Sequence, residues 1–193
     1  MEREQALELL LQYNKEEYHI RHALTVEEIM RWYANELGHD SDFWSVVGLL
    51  HDLDFELYPD QHCIKAAEIL EAAQCDPAVI HGVCSHAYNV TVDVKPEHEM
   101  EKVLYAVDEL SGIIWAATKM RPSGSVMDME VKSVKKKFKD KRFAAGCSRD
   151  IIQDGSEMLQ WDLDRLFSMT LEAMKASEEK VNRQMGELAG RIG

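Results

Sequence analysis

The chain has 193 residues, 46% of them hydrophobic and 30% charged, enough apolar material for one globular core and too little length for several domains. Lys and Arg number 22 against 35 Asp and Glu, a net charge of −13, which argues against a nucleic-acid polymer as partner because phosphate contact needs a positive surface. No apolar run approaches the roughly 20 residues of a membrane span, so no membrane partner is expected. The four cysteines, Cys63, Cys75, Cys84 and Cys147, form no C-x-x-C pair, and with no signal-peptide pattern the expected setting is a cytoplasm that keeps them reduced.

In chain order, nearly every segment has helical periodicity. A short amphipathic helix over about residues 2–13 precedes one from Glu17 to Leu37, where Tyr18, His22, Val26 and Ile29 share an apolar face. Gly38 is its expected C-cap. Asp40 or Ser41 caps the next helix, whose apolar run Val46–Leu50 ends abruptly in His51-Asp52. Asp54–Pro59 reads as a loop. Asp60 is placed to cap a helix carrying His62, Ala66, Ile69 and Leu70 on one face. Asp76-Pro77 starts another helix, in which Val79, Val83 and His86 align. Residues 89–98 form an excursion ended by Pro96. The helix from Glu99 to Met120 is the most apolar, and its stripe of Leu104, Val107, Ser111 and Ile114 includes Asp108, a carboxylate that needs a partner.

Arg121-Pro122-Ser123-Gly124-Ser125 breaks that helix. From Lys132 to Arg142 there are seven basic residues and the single acid Asp140, a local inversion of the overall charge. Asp154-Gly155-Ser156-Glu157 has the form of a capping box and is expected to open a last amphipathic helix, frayed after about Lys180. The organisation read from this is a main domain over 1–153, with a C-terminal helix over 154–193 that packs on it or serves a homodimer contact.

Five helices or helix ends therefore set a ligand-type residue on an apolar face: His22, His51 with Asp52, His62, His86 and Asp108. One such histidine alone is more often a satisfied core residue. Six together would each cost about 1–3 kcal/mol if buried unpaired, a cost that one shared cation cluster removes. Histidine and carboxylate without thiolate suit one or two divalent transition ions, among Fe, Mn, Zn, Co and Ni, rather than Ca. With Asp52 bridging, two ions about 3.5–4 Å apart could share a hydroxide for in-line attack on phosphorus. On this reading His51 and Asp52 carry the catalysis. Arg121 and the basic run, through Lys132, Lys135 and Lys136, are the candidate contacts for substrate phosphate. His19 is placed beside His22, His81 at the mouth of the site, and Asp54 as a turn residue, base or hydrogen-bond acceptor.

The ordered set His22, His51-Asp52 and Asp108 resembles the H…HD…D signature of the HD-domain superfamily of metal-dependent phosphohydrolases. The stretches RHALTVEEIM, VVGLLHDLDFELYPDQHCIKAAEIL and LYAVDELSGII read like that family, over about residues 17–120. More narrowly, Arg121–Gly146 is similar to a segment of small bacterial HDIG-type hydrolases. The resemblance implies an all-α compact bundle with the site at its centre. It also implies that His62 and His86 stand where dinuclear branches insert two further ligands. Leu53-Asp54 replaces the usual glycine and lysine after the HD pair, so a lysine that assists phosphate in some relatives is absent. The implied function is hydrolysis of a phosphomonoester or phosphodiester in a nucleotide or other small phosphate ester. A dinuclear iron oxygenase, also found in the superfamily, and a non-enzymatic metal-bound sensing module are the alternatives.

Overall fold

The computed structural model describes residues 1–192. Its helices are α1 (Arg3–Tyr13), α2 (Glu17–Leu37), α3 (Ser41–Leu50), α4 (Ile64–Ala72), α5 (Pro77–Ser85), α6 (Glu99–Lys119), α7 (Val131–Lys139), α8 (Arg149–Met158) and α9 (Leu163–Leu188). A 3₁₀ turn, Pro59–Gln61, precedes α4, and no strand occurs among the described residues. The all-α bundle is therefore as the periodicity predicts. No described helix is long and apolar enough to cross a membrane.

Helix α2 is the axis of the bundle and packs on α3, α6 and α9. Its Ile20, Leu24, Ile29 and Tyr33 are fully buried against Val47 and Leu50 of α3, Leu104 and Val107 of α6, and Leu171 of α9. Such a stripe drives association because apolar burial is worth about 25 cal/mol per Å². Gly48 lets α2 and α3 approach closely: a Cβ there would stand 2.9 Å from both the Val26 carbonyl oxygen and Met30 Cγ. His51, less than a turn further on, is thereby brought to the face of α2 that carries His22.

Three of the expected caps are present. Gly38 ends α2 at φ +79°, the Asp40 carboxylate accepts from the Asp42 and Phe43 N–H groups, and that of Asp76 accepts from Ala78. Three boundaries differ from the sequence reading. Asp60 lies in the 3₁₀ turn and does not cap α4. That role falls to Asp54, twelve residues before Ala66, whose N–H it accepts at 2.8 Å. Asp154–Glu157 lies inside α8, which Ser148 caps by accepting from Ile151. Gly155, read as part of that capping box, instead lets α8 cross α6, where a Cβ would stand 2.6 Å from that of Ala106. The last helix starts only after Asp162, whose carboxylate accepts from the Arg165 N–H. Finally, α9 continues well past Lys180, because Val181, Met185 and Leu188 remain buried and Lys180 pairs with Glu28 at 2.7 Å.

The run of turns between α7 and α8 is tied by one side chain. Arg149 donates to the carbonyls of Ala144 (2.6 Å), Cys147 (2.7 Å), Phe143, Asp140 and Phe138, using its planar fork of donors to satisfy backbone groups that no helix satisfies.

Candidate metal centre

Four helices and two turns deliver the polar cluster. His22 comes from the second turn of α2, His51 caps the C-terminus of α3, and Asp52 follows it in the first residue of the turn. His62 stands just before α4, His86 caps the C-terminus of α5, and Asp108 lies mid-way along α6. The structure thus brings together all six residues that the sequence proposes as ligands.

Their atoms fall into two groups that share Asp52. In the first, His22 Nε2 lies 3.1 Å from His51 Nε2 and 2.9 Å from Asp108 Oδ1. Asp52 Oδ2 faces this group, 3.5 Å from His22 Nε2 and 3.4 Å from His51 Nε2. In the second group, His62 Nε2 and His86 Nε2 are 3.0 Å apart. Asp52 Oδ1 faces these, at 3.5 and 3.6 Å. Donor atoms that share one ion at about 2.1 Å stand about 3.0–3.4 Å from each other, so both groups have the spacing of a coordination polyhedron.

Ring orientation supports the same conclusion. His51 Nδ1 donates to the Gly48 carbonyl at 2.8 Å and His86 Nδ1 to the Val83 carbonyl at 2.5 Å. A carbonyl only accepts, so in each neutral ring the proton sits on Nδ1 and the Nε2 lone pair points into the cluster. His62 Nδ1 is held by Asp54 Oδ1 at 2.8 Å. Asp54 is fully buried, and its second oxygen caps α4. A carboxylate behind a histidine fixes the ring and raises its basicity as a ligand. Two inward lone pairs 3.0 Å apart repel unless a proton or cation lies between them, so this donor set fits divalent metal.

Among the protein groups alone, charge is sharply polarised. Burial opposes protonation of His51, but Asp52 and Asp108 outweigh it and raise its pKa well above the usual histidine range. Burial would raise the Asp52 and Asp108 carboxyls, yet His51 and His22 hold both far below their ordinary values. His62 is raised, because Asp54 and Asp52 overcome its desolvation, whereas burial keeps His86 lowered. Glu109, beside Asp108 and in the cavity lining, is pushed up to about 7 by burial first and the Asp108 charge second. Cys63 Sγ lies 3.7 Å from His62 Nε2, but its contact with Cys84 and its burial drive the thiol far up, so it offers no thiolate.

The cluster opens into a cavity of about 280 Å³ whose lining includes Tyr18, His19, Phe55, Val90, Gly146 and Cys147. None of the proposed phosphate contacts lines it. Arg121 is tied to Asp128 at 2.8 Å, Lys132 to Glu130 and Lys135 to Asp164, and Lys136 is solvent-exposed on α7. Arg21 and Lys119 line a neighbouring cavity of about 180 Å³ together with Trp115, and Arg21 also shares a small pocket with His22. Arg21 lies on α2 one residue before His22, a position the periodicity could have marked. His81 is not at the mouth: it pairs with Glu101 at 2.7 Å in a separate groove. His19 does reach the cavity, 3.6 Å from Glu56.

The HD domain family model matches residues 20–113. No curated protein sequence matches the chain. Among solved structures, the HD domain of the L. monocytogenes phosphodiesterase PgpH is similar at 15% identity and a TM-score of 0.56, over 92% of this chain and 98% of that one. The same domain in complex with cyclic-di-AMP matches at 14% identity and a TM-score of 0.52, over 91% and 97%. At such identity the likeness is one of fold. The sequence match spans the helices that bear His22, His51-Asp52 and Asp108, and it identifies residues 20–113 as an HD domain.

Proposed function

We propose that this chain is a metal-dependent phosphohydrolase acting on a small phosphate ester. The observation that carries the reading is the split of the Asp52 carboxylate, one oxygen toward His22 and His51 and the other toward His62 and His86. That arrangement supports two cations, the first held by His22, His51, Asp52 and Asp108, the second by His62, His86 and Asp52. When bound, such a pair lowers the pKa of water and neutralises charge that develops on a phosphoryl group. His51 and His86, anchored through Nδ1 to backbone carbonyls, keep their Nε2 atoms aimed without reorganisation, and Asp54 does the same for His62. The PgpH domain that shares the fold was solved with a cyclic dinucleotide, which places nucleotides among the first esters to try.

The test is metal analysis of protein purified without chelator, coupled to a panel of phosphate monoesters and diesters. Two ions per chain and turnover of at least one ester are expected. Asp52→Ala should lose metal and turnover together, and His86→Ala should lose one ion and keep the other. Comparable turnover in Asp52→Ala would move the site elsewhere. Oxygen consumption in place of phosphate release would assign the centre to the oxygenase alternative.

A further inference from the structure

The cavity of about 180 Å³ lies where α9 and the loop after α6 meet α2 and α6, and it shares no lining residue with the metal-site cavity. Apart from Arg21 and Thr25, its wall lies beyond residue 113, where the HD match ends. It is a separate compartment, built largely by the C-terminal part of the chain.

Two cations line it with most of their donors unspent. Arg21 Nη1 donates to Asn182 Oδ1 at 2.8 Å, and the nearest carboxylate, that of the exposed Glu17, stands 3.5 Å away. A guanidinium has five N–H donors, so this leaves several free. Lys119 has no carboxylate within ion-pair reach among the described residues, and its Nζ lies 4.5 Å from the centroid of the Trp115 ring. In a chain with 35 acidic side chains against 22 basic ones, carboxylate partners are plentiful. Arg3 and Arg31, which line a cavity at the N-terminus, are both tied to the buried Glu27.

The other walls leave the cations unanswered. Glu178 is the one carboxylate of the lining, and both its oxygens are occupied, Oε1 by the Val126 N–H at 2.8 Å and Oε2 by the Ser125 hydroxyl. The hydroxyls of Thr25, Thr118 and Ser177 donate to carbonyls of their own helices. Val126, Met174 and Val181 form a buried apolar floor. The volume equals that of about six waters and falls below the roughly 300 Å³ at which pockets take drug-sized ligands, so it suits a group of a few heavy atoms.

We propose that this cavity is a second binding site, for a small dianionic oxyanion of the phosphate or sulfate type held between Arg21 and Lys119. Charge-assisted bonds to two cations over an apolar floor are what such an anion needs. The site does not depend on the reaction at the metal centre. A small pocket lined by both Arg21 and His22 has walls in common with each cavity, so the anion is either a free effector or the far end of a longer substrate.

The experiment titrates the full chain, loaded with Mn²⁺, with sodium sulfate by calorimetry, ionic strength being held constant with sodium chloride. One saturable site per chain is expected. Lys119→Gln and Arg21→Gln should each weaken it about 10- to 100-fold, as for a lost hydrogen bond to a charged group, while Lys119→Arg retains it and Lys136→Gln, on the exposed face of α7, leaves it unchanged. Heats no different from those of sodium chloride, or binding as tight in both Gln variants as in wild type, overturn the site. Where an ester is turned over, sulfate that competes with it only while Lys119 is present identifies the cavity as the far end of the substrate site, and sulfate that binds without competing identifies an effector site. If no ester is turned over, the titration decides the anion site by itself, and the proposed reaction alone fails.

Discussion

Replacing Asp54 by Asn tests the reasoning about how the second half of the centre is held. The carboxylate has two jobs. Oδ1 faces His62 Nδ1 at 2.8 Å and Oδ2 accepts from the Ala66 N–H at 2.8 Å. Asparagine has the same shape but only one acceptor. If its oxygen stays with Ala66, its NH₂ faces His62 Nδ1, which must then accept. The ring proton moves to Nε2 and removes the lone pair aimed at the cation. Disturbing such an orienting group typically costs 10- to 100-fold in metal affinity, which corresponds to about 1.4–2.8 kcal/mol. If the amide turns over instead, the Ala66 N–H loses its buried acceptor, and the cost of about 1–3 kcal/mol appears as stability. Metal titration with thermal unfolding of the chelated protein separates the two. The expected result is one ion retained by His22, His51 and Asp108, weak binding of the second, and a small drop in Tm. Two tightly bound ions with an unchanged Tm would refute the argument.

Four other outcomes follow from the geometry. Gly48→Ala places a methyl 2.9 Å from the Val26 carbonyl, so α3 must shift; a loss of about 1–3 kcal/mol in denaturant unfolding and weaker metal binding by the His22 half are expected, and an unchanged midpoint would contradict the close approach. In chelated protein, burial opposes but Asp52 and Asp108 impose a raised His51 pKa, so its contribution to stability is full below about pH 6.5 and is lost as pH rises through the raised folded value. Metal must displace that proton, so binding should release protons and tighten above that pH; calorimetry in buffers of different ionisation enthalpy would refute this by showing neither. Cys147 is pushed up to about 11 by burial and then by Glu109 and Asp108, so iodoacetamide at pH 8 should modify it slowly, and rapid labelling would show that the cavity wall is open. The change of Lys135, Lys136 and Lys137 to Ala should raise KM only at low salt, since none of these side chains lines the cavity and the field of surface charges is screened by salt; an equal effect at high salt would bring the basic helix to the substrate.

Much of the centre was legible because it obeys helical arithmetic. His22 on the stripe of Tyr18, Val26 and Ile29, and Asp108 on that of Leu104 and Val107, point inward for the same reason as their apolar neighbours. His51 ends an apolar run, and a helix end is where a side chain can leave the core. His62 was reached for the wrong local reason, since it stands in a turn and not on a helix face. What places it is Asp54, and a hydrogen bond from a loop to a later helix leaves no periodic trace. Proximity is equally silent in sequence: the lysines of α7 are many but none lines the cavity, while the single Arg21 shares a pocket with His22. Asp154–Glu157 misled because a capping-box pattern can also stand inside a helix, where Gly155 permits the crossing with α6.

Arg149 has a consequence for motion. Its guanidinium grips Phe138, the C-terminal turn of α7, and at the same time Ala144 and Cys147, the latter in the cavity wall. The two regions hang from one rigid planar group. A displacement of the basic helix is thus levered directly onto the wall of the metal-site cavity, although no lysine of that helix lines it. Whatever pulls on α7 pulls on the door of the site.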